Sequence, residues 1–119
     1  MKKINLKGNL IKEIPFLKNL IQLEEVNFSC NKIVSLDEAA ENLPMNLKVI
    51  NIDNNLIQSI FSPFYLSFFK QLKSIRISSN PFVKKLQLKN INYRLYCYWA
   101  LGANKESSLD IDGEYFTNE

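Results

Sequence analysis

Apolar residues recur along the chain at fixed offsets from asparagine. Within each recurrence they alternate with polar residues before the asparagine, which predicts a short strand with one face in a core. The two middle segments are Leu23-x-x-Val26-x-Phe28-x-x-Asn31-x-Ile33-x-x-Leu36 and Leu47-x-x-Ile50-x-Ile52-x-x-Asn55-x-Ile57-x-x-Ile60. Shorter versions flank them, Ile4-x-Leu6-x-x-Asn9-x-Ile11-x-x-Ile14 and Leu72-x-x-Ile75-x-Ile77-x-x-Asn80.

The four asparagines of these segments lie 22, 24 and 25 residues apart. This period and pattern are typical of leucine-rich repeats, in which one unit buries its apolar edge only by stacking on neighbours. An asparagine amide offers donors and an acceptor to backbone groups that a turn leaves unpaired, so stacked turns should form an asparagine ladder. The pattern predicts an α/β fold, a right-handed leucine-rich-repeat solenoid of about four repeats with a short parallel sheet on its concave side.

The segments between the predicted strands carry helix signals. Residues 35–41 read Ser-Leu-Asp-Glu-Ala-Ala-Glu, and in the next return Ser62 is expected to cap a helix with Pro63 in its first turn. An aromatic run over residues 61–69 could line a ligand pocket, but packing into the core beneath the convex side is favoured; the run comprises Phe61, Phe64, Tyr65, Phe68 and Phe69.

The repeat pattern stops after Asn80-Pro81-Phe82. Residues 92–102 are expected to form an amphipathic helix over the last repeat, and residues 109–119 a strand-like closing segment, because an uncovered solenoid end exposes its core. The sequence thus predicts one domain over residues 1–119, with repeats over about 1–82 and a cap over 83–119.

Composition excludes several classes of function. The 119 residues include no histidine, which removes Ser-His and Cys-His nucleophiles and histidine metal sites. Three glycines leave no phosphate-cradling loop. The acidic pairs Asp110/Asp112 and Glu24/Glu25 are better explained as cap and surface residues than as catalytic groups. We therefore expect no enzyme activity, no cofactor and no metal.

The two cysteines, Cys30 and Cys97, do not resemble a secreted disulfide framework, and reduced, partly buried thiols are favoured. Lys7 and Lys12 interrupt any signal-peptide core, and the most apolar stretch is too short to span a bilayer. These features predict a soluble intracellular protein with no membrane association and no small-molecule substrate.

The C-terminal motifs resemble those of the short intracellular leucine-rich-repeat proteins that carry a C-terminal cap. The resemblance rests on Asn80-Pro81, on Tyr93-Arg94-Leu95-Tyr96 and on the closing Leu109-Asp110-Ile111-Asp112-Gly113. Within that family the YRLY run is most similar to the A′ proteins of the U2 small nuclear ribonucleoprotein (U2 snRNP). The resemblance implies a nuclear, spliceosomal scaffold for mRNA splicing, which binds an RNA-recognition-motif partner of the B″ type and touches U2 snRNA.

Binding to a partner is expected on the concave face of the sheet, with an ordinary solvated strand face as the alternative. Side chains on this face flank and interleave the buried pair of each strand, because successive residues alternate sides. The predicted partner-binding residues are Lys3, Asn5, Lys7, Glu25, Asn27, Ser29, Val49, Asn51, Asp53, Ser74, Arg76 and Ser78.

Charge is divided unevenly although the net charge is only +3. Residues 54–105 hold eight basic groups and no acid, whereas residues 106–119 hold five acids and no base. Phosphate contact needs clustered cations, so the candidate RNA-binding residues are Lys84 and Lys85, expected in a turn, with Lys89 and Arg94. Pairing with the acidic end is the alternative. A general adaptor without RNA binding, of the phosphatase-regulating, cytoskeletal or ribosome-associated kind, also remains open.

Overall fold

A computed structural model describes residues 2–102 and 108–117 of the chain. They form one six-stranded sheet in the order β1 to β6, in which β1 to β5 run parallel and β6 pairs antiparallel with β5. The strands are β1 Lys3–Asn5, β2 Glu25–Asn27, β3 Val49–Asn51, β4 Ser74–Arg76, β5 Leu109–Ile111 and β6 Glu114–Phe116. The predicted short parallel sheet is confirmed, because β1 to β4 occupy equivalent places in the four segments.

The helices lie between and after the strands. They are α1 Ala39–Asn42, a 3₁₀ helix Ser62–Leu66, α2 Pro81–Leu88 and α3 Tyr93–Ala100. The predicted amphipathic helix corresponds to α3, whose Asn92 side chain caps it by accepting from the Leu95 N–H. No helix among the described residues is long and apolar enough to cross a membrane.

The predicted asparagine ladder is confirmed. The Nδ2 group of Asn55 donates to the carbonyls of Phe28, Ile52 and Asp53 at 3.0, 3.0 and 3.1 Å. Its Oδ1 accepts from the Ile33 N–H at 3.1 Å. Asn31 and Asn80 repeat this pattern one turn before and one turn after. Each amide therefore joins two adjacent turns of the chain.

The core lies beneath the sheet and is built from the predicted strand pairs. Val26 and Phe28, like Ile50 and Ile52, are at most 1% exposed. The first segment is less covered, since Ile4 and Leu6 are only partly buried against the core. This difference follows from position, because β1 has a neighbour on one side only within the described sheet.

The structure corrects three local predictions. Lys84 and Lys85 lie in α2 rather than in a turn, because Pro81 starts a helix whose buried stripe is Phe82, Val83 and Leu86. Ser62 caps nothing: it is buried inside the 3₁₀ helix, and the hydroxyl of Ser59 instead accepts from the Phe61 N–H.

The aromatic run also packs less completely than predicted. Phe69 is fully buried and Phe64 is partly buried, but Phe61, Phe68 and Tyr65 are 62%, 53% and 38% exposed. The ring of Phe64 meets Trp99 edge-on at 5.4 Å between centroids, so the run contacts α3 as well as the core.

The closing segment is a hairpin. Asp112 and Gly113 both have positive φ, 50° and 91°, as a two-residue turn between right-twisted strands requires. Sequence analysis predicted a strand-like end but not the return strand β6. Lys105, Glu106, Asn118 and Glu119, which contributed to the charge and cap predictions, lie outside the described residues.

Candidate functional site

The face of the sheet opposite the core carries a shallow hollow of about 460 Å³. It lies across β1 to β4, and the strand register places equivalent side chains next to one another. Eight of the twelve predicted partner-binding residues line it: Lys3, Asn5, Glu25, Asn27, Val49, Asn51, Ser74 and Arg76.

These residues form two rows that run across the strands. The first row consists of Lys3, Glu25, Val49 and Ser74, and the second consists of Asn5, Asn27, Asn51 and Arg76. We call the second row the amide row. Both rows follow from strand geometry, because aligned residues of neighbouring parallel strands lie about 4.8 Å apart with side chains on the same face.

The other four predicted residues lie just past the strand ends, outside the lining of the hollow. Lys7 is exposed, whereas Ser29 is only 4% exposed and uses its hydroxyl to donate to Oδ1 of Asn27 at 2.7 Å. Asp53 accepts a hydrogen bond of 3.1 Å from the Ser78 hydroxyl. These four residues therefore form a third row beside the hollow rather than part of its lining.

Asp53 lies in a place that disfavours its charge. Burial raises the pKa of its carboxyl, the hydrogen bond from Ser78 partly opposes this, and the nearby Asp112 carboxylate raises the pKa further. A carboxyl poised in this way is a candidate for acid–base chemistry, but it lies against a structural serine rather than beside a nucleophile.

Asp110 extends the candidate site, and sequence analysis assigned it to the cap alone. It pairs with Ser74 in the sheet register, and its Oδ2 accepts from the Ser74 hydroxyl at 3.3 Å. The same oxygen lies 3.7 Å from a guanidinium nitrogen of Arg76. Its other oxygen accepts from the Gly113 N–H at 2.7 Å. The alternation of apolar and acidic residues in Leu109-Asp110-Ile111 was the available signal for a strand. The pairing of this strand, β5, with β4 cannot be inferred from the sequence pattern.

Two of the four candidate RNA-binding residues line the same groove. Lys85 and Lys89 line a groove of about 480 Å³ with Phe61 and Leu88, and the ammonium of Lys85 donates to the Gln58 carbonyl at 3.0 Å. Lys84 is exposed on the same helix.

Arg94 differs from these lysines because it is only partly exposed. Its guanidinium carbon lies 4.9 Å from the centre of the Tyr93 ring, which is a cation–π contact. Its Nε is buried without a hydrogen-bond partner among the described residues.

Metal and thiol chemistry have no assembled site in this part of the chain. Among residues 2–102 and 108–117, no three His, Cys, Asp or Glu side chains are grouped so as to hold a metal ion. Both cysteines are free thiols. Burial, with a smaller contribution from the Asp112 carboxylate, raises the pKa of Cys97 to about 12.

Solved structures similar to this chain include chains of two complexes. The chain is similar to a chain of the Drosophila melanogaster SNF/U2A′ complex, with a TM-score of 0.64, 22% identity, and coverage of 94% of this chain and 72% of that one. It is also similar to a chain of the octameric complex of Latrophilin 3, Unc5D and FLRT2, which contains a leucine-rich-repeat component, with a TM-score of 0.56 and 26% identity.

The second similarity covers 66% of this chain and spans only 24% of the other. No family model matches the sequence, and no significant match to a curated protein was found. The sheet, the register and these structural relatives together show a leucine-rich-repeat type of α/β fold.

Proposed function

We propose that the chain is a non-catalytic scaffold that binds another protein on the concave face of its sheet. The observation that carries this proposal is the hollow across β1 to β4, which is lined by polar side chains in register. The opposite face of the sheet is filled by the core, so the hollow is where the strands offer side chains to a partner. Its two basic and mainly neutral polar side chains suit many hydrogen bonds rather than one reaction centre.

The more specific proposal is an A′-like subunit of the U2 snRNP. It is supported by the Tyr93-Arg94-Leu95-Tyr96 run in α3 and by the fold similarity to a chain of the SNF/U2A′ complex over 94% of this chain. The partner would then be an RNA-recognition-motif protein of the B″ type, and the protein would act in the nucleus. We also propose the division into about four repeats and a cap beginning near residue 83.

Contact with U2 snRNA is proposed for Lys84, Lys85 and Lys89. No acidic residue occurs between residues 54 and 105, so phosphates approaching these lysines meet no like charge from that stretch. Arg94 belongs to the proposal less directly, because its guanidinium is stacked on Tyr93.

The RNA proposal is tested with the purified protein, its RNA-recognition-motif partner and U2 snRNA over a salt series. Neutralising three phosphate contacts should reduce the dependence of log affinity on log salt by roughly 2 to 3. We expect this for Lys84→Gln/Lys85→Gln/Lys89→Gln and not for the matched control Lys12→Gln/Lys32→Gln/Lys70→Gln. An unchanged slope for the first variant would contradict direct RNA contact.

A general adaptor without RNA binding is the alternative, and the separate packing of Arg94 on Tyr93 favours it. Affinity capture from native extract separates the two functions. Joint recovery of U2 snRNA and an RNA-recognition-motif protein supports the spliceosomal subunit. Recovery of a protein that depends on Val49 in the centre of the hollow, without RNA, supports the adaptor.

A further inference from the structure

The amide row holds its three asparagines in one fixed orientation. The Oδ1 atoms of Asn5, Asn27 and Asn51 each accept from the backbone N–H two residues later, at 3.0, 2.9 and 3.0 Å. Only the oxygen of an amide can accept, so this repeated bond directs every Nδ2 group away from the turn. Among the described residues, these three Nδ2 groups donate to no protein atom, whereas the ladder asparagine Asn55 donates to three carbonyls.

Arg76 continues the amide row on β4 with another group that only donates. Its guanidinium is held toward the sheet by Asp110, at 3.7 Å, and remains partly exposed. The row therefore presents four consecutive donor side chains, one from each of the strands β1 to β4.

The carboxylates of the same face already have partners within the chain. Glu25 lies 3.7 Å from the Lys3 ammonium, and Asp53 accepts from Ser78. Asp110 accepts from Ser74 and from the Gly113 N–H. The three amide Nδ2 groups consequently have no partner in the described part of the chain, whereas the carboxylates of this face do. A docked partner without acceptors would remove the water bound to these amides and leave their Nδ2 groups buried and unpaired, which would weaken its binding.

We propose, building on the function proposed above, that the hollow takes an α-helix of a partner protein with a stripe of side-chain oxygen acceptors, Asp, Glu, Asn or Gln, one turn apart. Successive turns of a helix rise 5.4 Å, close to the spacing of about 4.8 Å between the strands that carry the amide row. Acceptors at positions i, i+4 and i+7 can thus meet Asn5, Asn27 and Asn51 in turn. A continuous polyanion such as RNA fits less well, because its charges would lie beside Glu25 without interruption, whereas a helix can place a neutral Asn or Gln there.

The experiment uses a display library in which one exposed helix face of a small three-helix bundle is randomised. The library is selected on the full chain, and the bound clones are measured on single-site variants. Asn27→Asp and Asn51→Asp are the informative changes, since a carboxylate keeps the internal acceptor for the Ser29 or Asp53 N–H but replaces the outward donor by an acceptor. Asn19→Asp is the matched control, because Asn19 is exposed and outside the hollow.

We expect clones with acceptors at one-turn spacing, roughly tenfold weaker binding to Asn27→Asp or Asn51→Asp, and unchanged binding to Asn19→Asp. Selection on Asn27→Asp/Asn51→Asp should instead yield Lys or Arg at those positions. Clones that occupy the hollow through apolar side chains, or that bind the Asp variants equally well, would overturn the acceptor stripe. Thermal melting of each variant checks that the fold is retained.

Val49→Arg distinguishes this failure from failure of the proposed function. If selected clones bind Val49→Arg as well as the unchanged chain, they do not use the hollow, and both the concave docking site and the acceptor stripe are wrong. In the same assay, single-stranded poly(U) RNA that binds the unchanged chain but does not bind Val49→Asp would make RNA the occupant of the hollow and would overturn the helix.

Discussion

The hydroxyl of Tyr93 donates a hydrogen bond of 3.0 Å to Oδ2 of Asp112, which joins α3 to the turn between β5 and β6. Oδ1 of the same carboxylate accepts from the Ile77 N–H at 2.9 Å, so one side chain connects the helix, the hairpin and the chain just after β4. Burial and the Asp112 charge raise the pKa of Tyr93 to about 12, which keeps its hydroxyl a donor throughout the physiological range. This contact fastens the C-terminal elements to the sheet.

Removing the two partners separately should cost different amounts of stability. Tyr93→Phe deletes one hydrogen bond to a charged group, for which we expect a loss of about 1.5–3 kcal/mol in the free energy of unfolding. Asp112→Asn tolerates the positive φ of the turn, keeps Oδ1 as acceptor for the Ile77 N–H and can donate from Nδ2 to the Tyr93 hydroxyl, so it loses the charge but not the contacts and should cost less. Urea denaturation measures both, and Tyr115→Phe, at an exposed tyrosine of β6, is the control. Equal stability of Tyr93→Phe and the unchanged chain would show that the bond does not fasten α3.

The asparagine ladder predicts a strong dependence on position. Asn55 is 3% exposed and holds backbone groups of two turns. Asn55→Ala leaves the Ile33 N–H without its partner and removes three further hydrogen bonds, to carbonyls that each keep a second donor. With about 1–3 kcal/mol for the unsatisfied N–H and about 0.5–1.5 kcal/mol for each of the three lost hydrogen bonds, a loss of at least roughly 2.5 kcal/mol is expected.

Asn9→Ala is the matched control for Asn55→Ala. Asn9 occupies the equivalent place in the first segment but is exposed, and its best bond is to the Leu6 carbonyl at 2.9 Å. Water can replace that bond, so we expect a loss below about 1 kcal/mol. Similar losses for the two variants in thermal or chemical unfolding would mean that burial does not govern the ladder.

The raised pKa of Asp53 predicts a pH dependence of defined sign. A carboxyl whose pKa is higher in the folded than in the unfolded state binds protons more readily when folded, so its ionisation destabilises the fold as pH rises from its ordinary value of 3.8 through the folded pKa. Asp53→Asn removes this penalty and keeps an acceptor for Ser78. The stability of Asp53→Asn relative to the unchanged chain should therefore increase between pH 3 and pH 7, as measured by urea midpoints. A decrease over that range would show that the carboxylate is stabilised by the fold.

The two thiols should react at very different rates. Cys97 is fully buried and its pKa is raised to about 12, so almost no thiolate is accessible at pH 8. Cys30 is only partly buried and should react first with a thiol reagent under native conditions. Cys30→Ser should consequently lose most of the fast phase, whereas Cys97→Ser should keep it, and both cysteines should react in denaturant. A fast phase that survives in Cys30→Ser would contradict the buried position of Cys97.

The repeat allowed much of the fold to be predicted from local pattern. The alternation of Val26 and Phe28 indicates which side of the strand is buried. The position of Asn31 indicates where the turn needs an amide. The helix at Tyr93–Ala100 was readable for the same reason, since its apolar spacing is local. The lysines at 84 and 85 were predicted in a turn, although the spacing of Phe82, Val83 and Leu86 is the local signal for the helix that holds them.

What the sequence by itself determined was the stacking of like units, the strands, the asparagine ladder and the residue types facing away from the core. These depend on neighbours within a few positions, which periodicity records. Only the tertiary structure decided which groups meet across long separations, as when Asp110 reaches Ser74 and Arg76 or when the Tyr93 hydroxyl donates to Asp112. The physical reason is that strand pairing and side-chain packing are settled by the free energy of the whole assembled chain, so no local window of residues contains them.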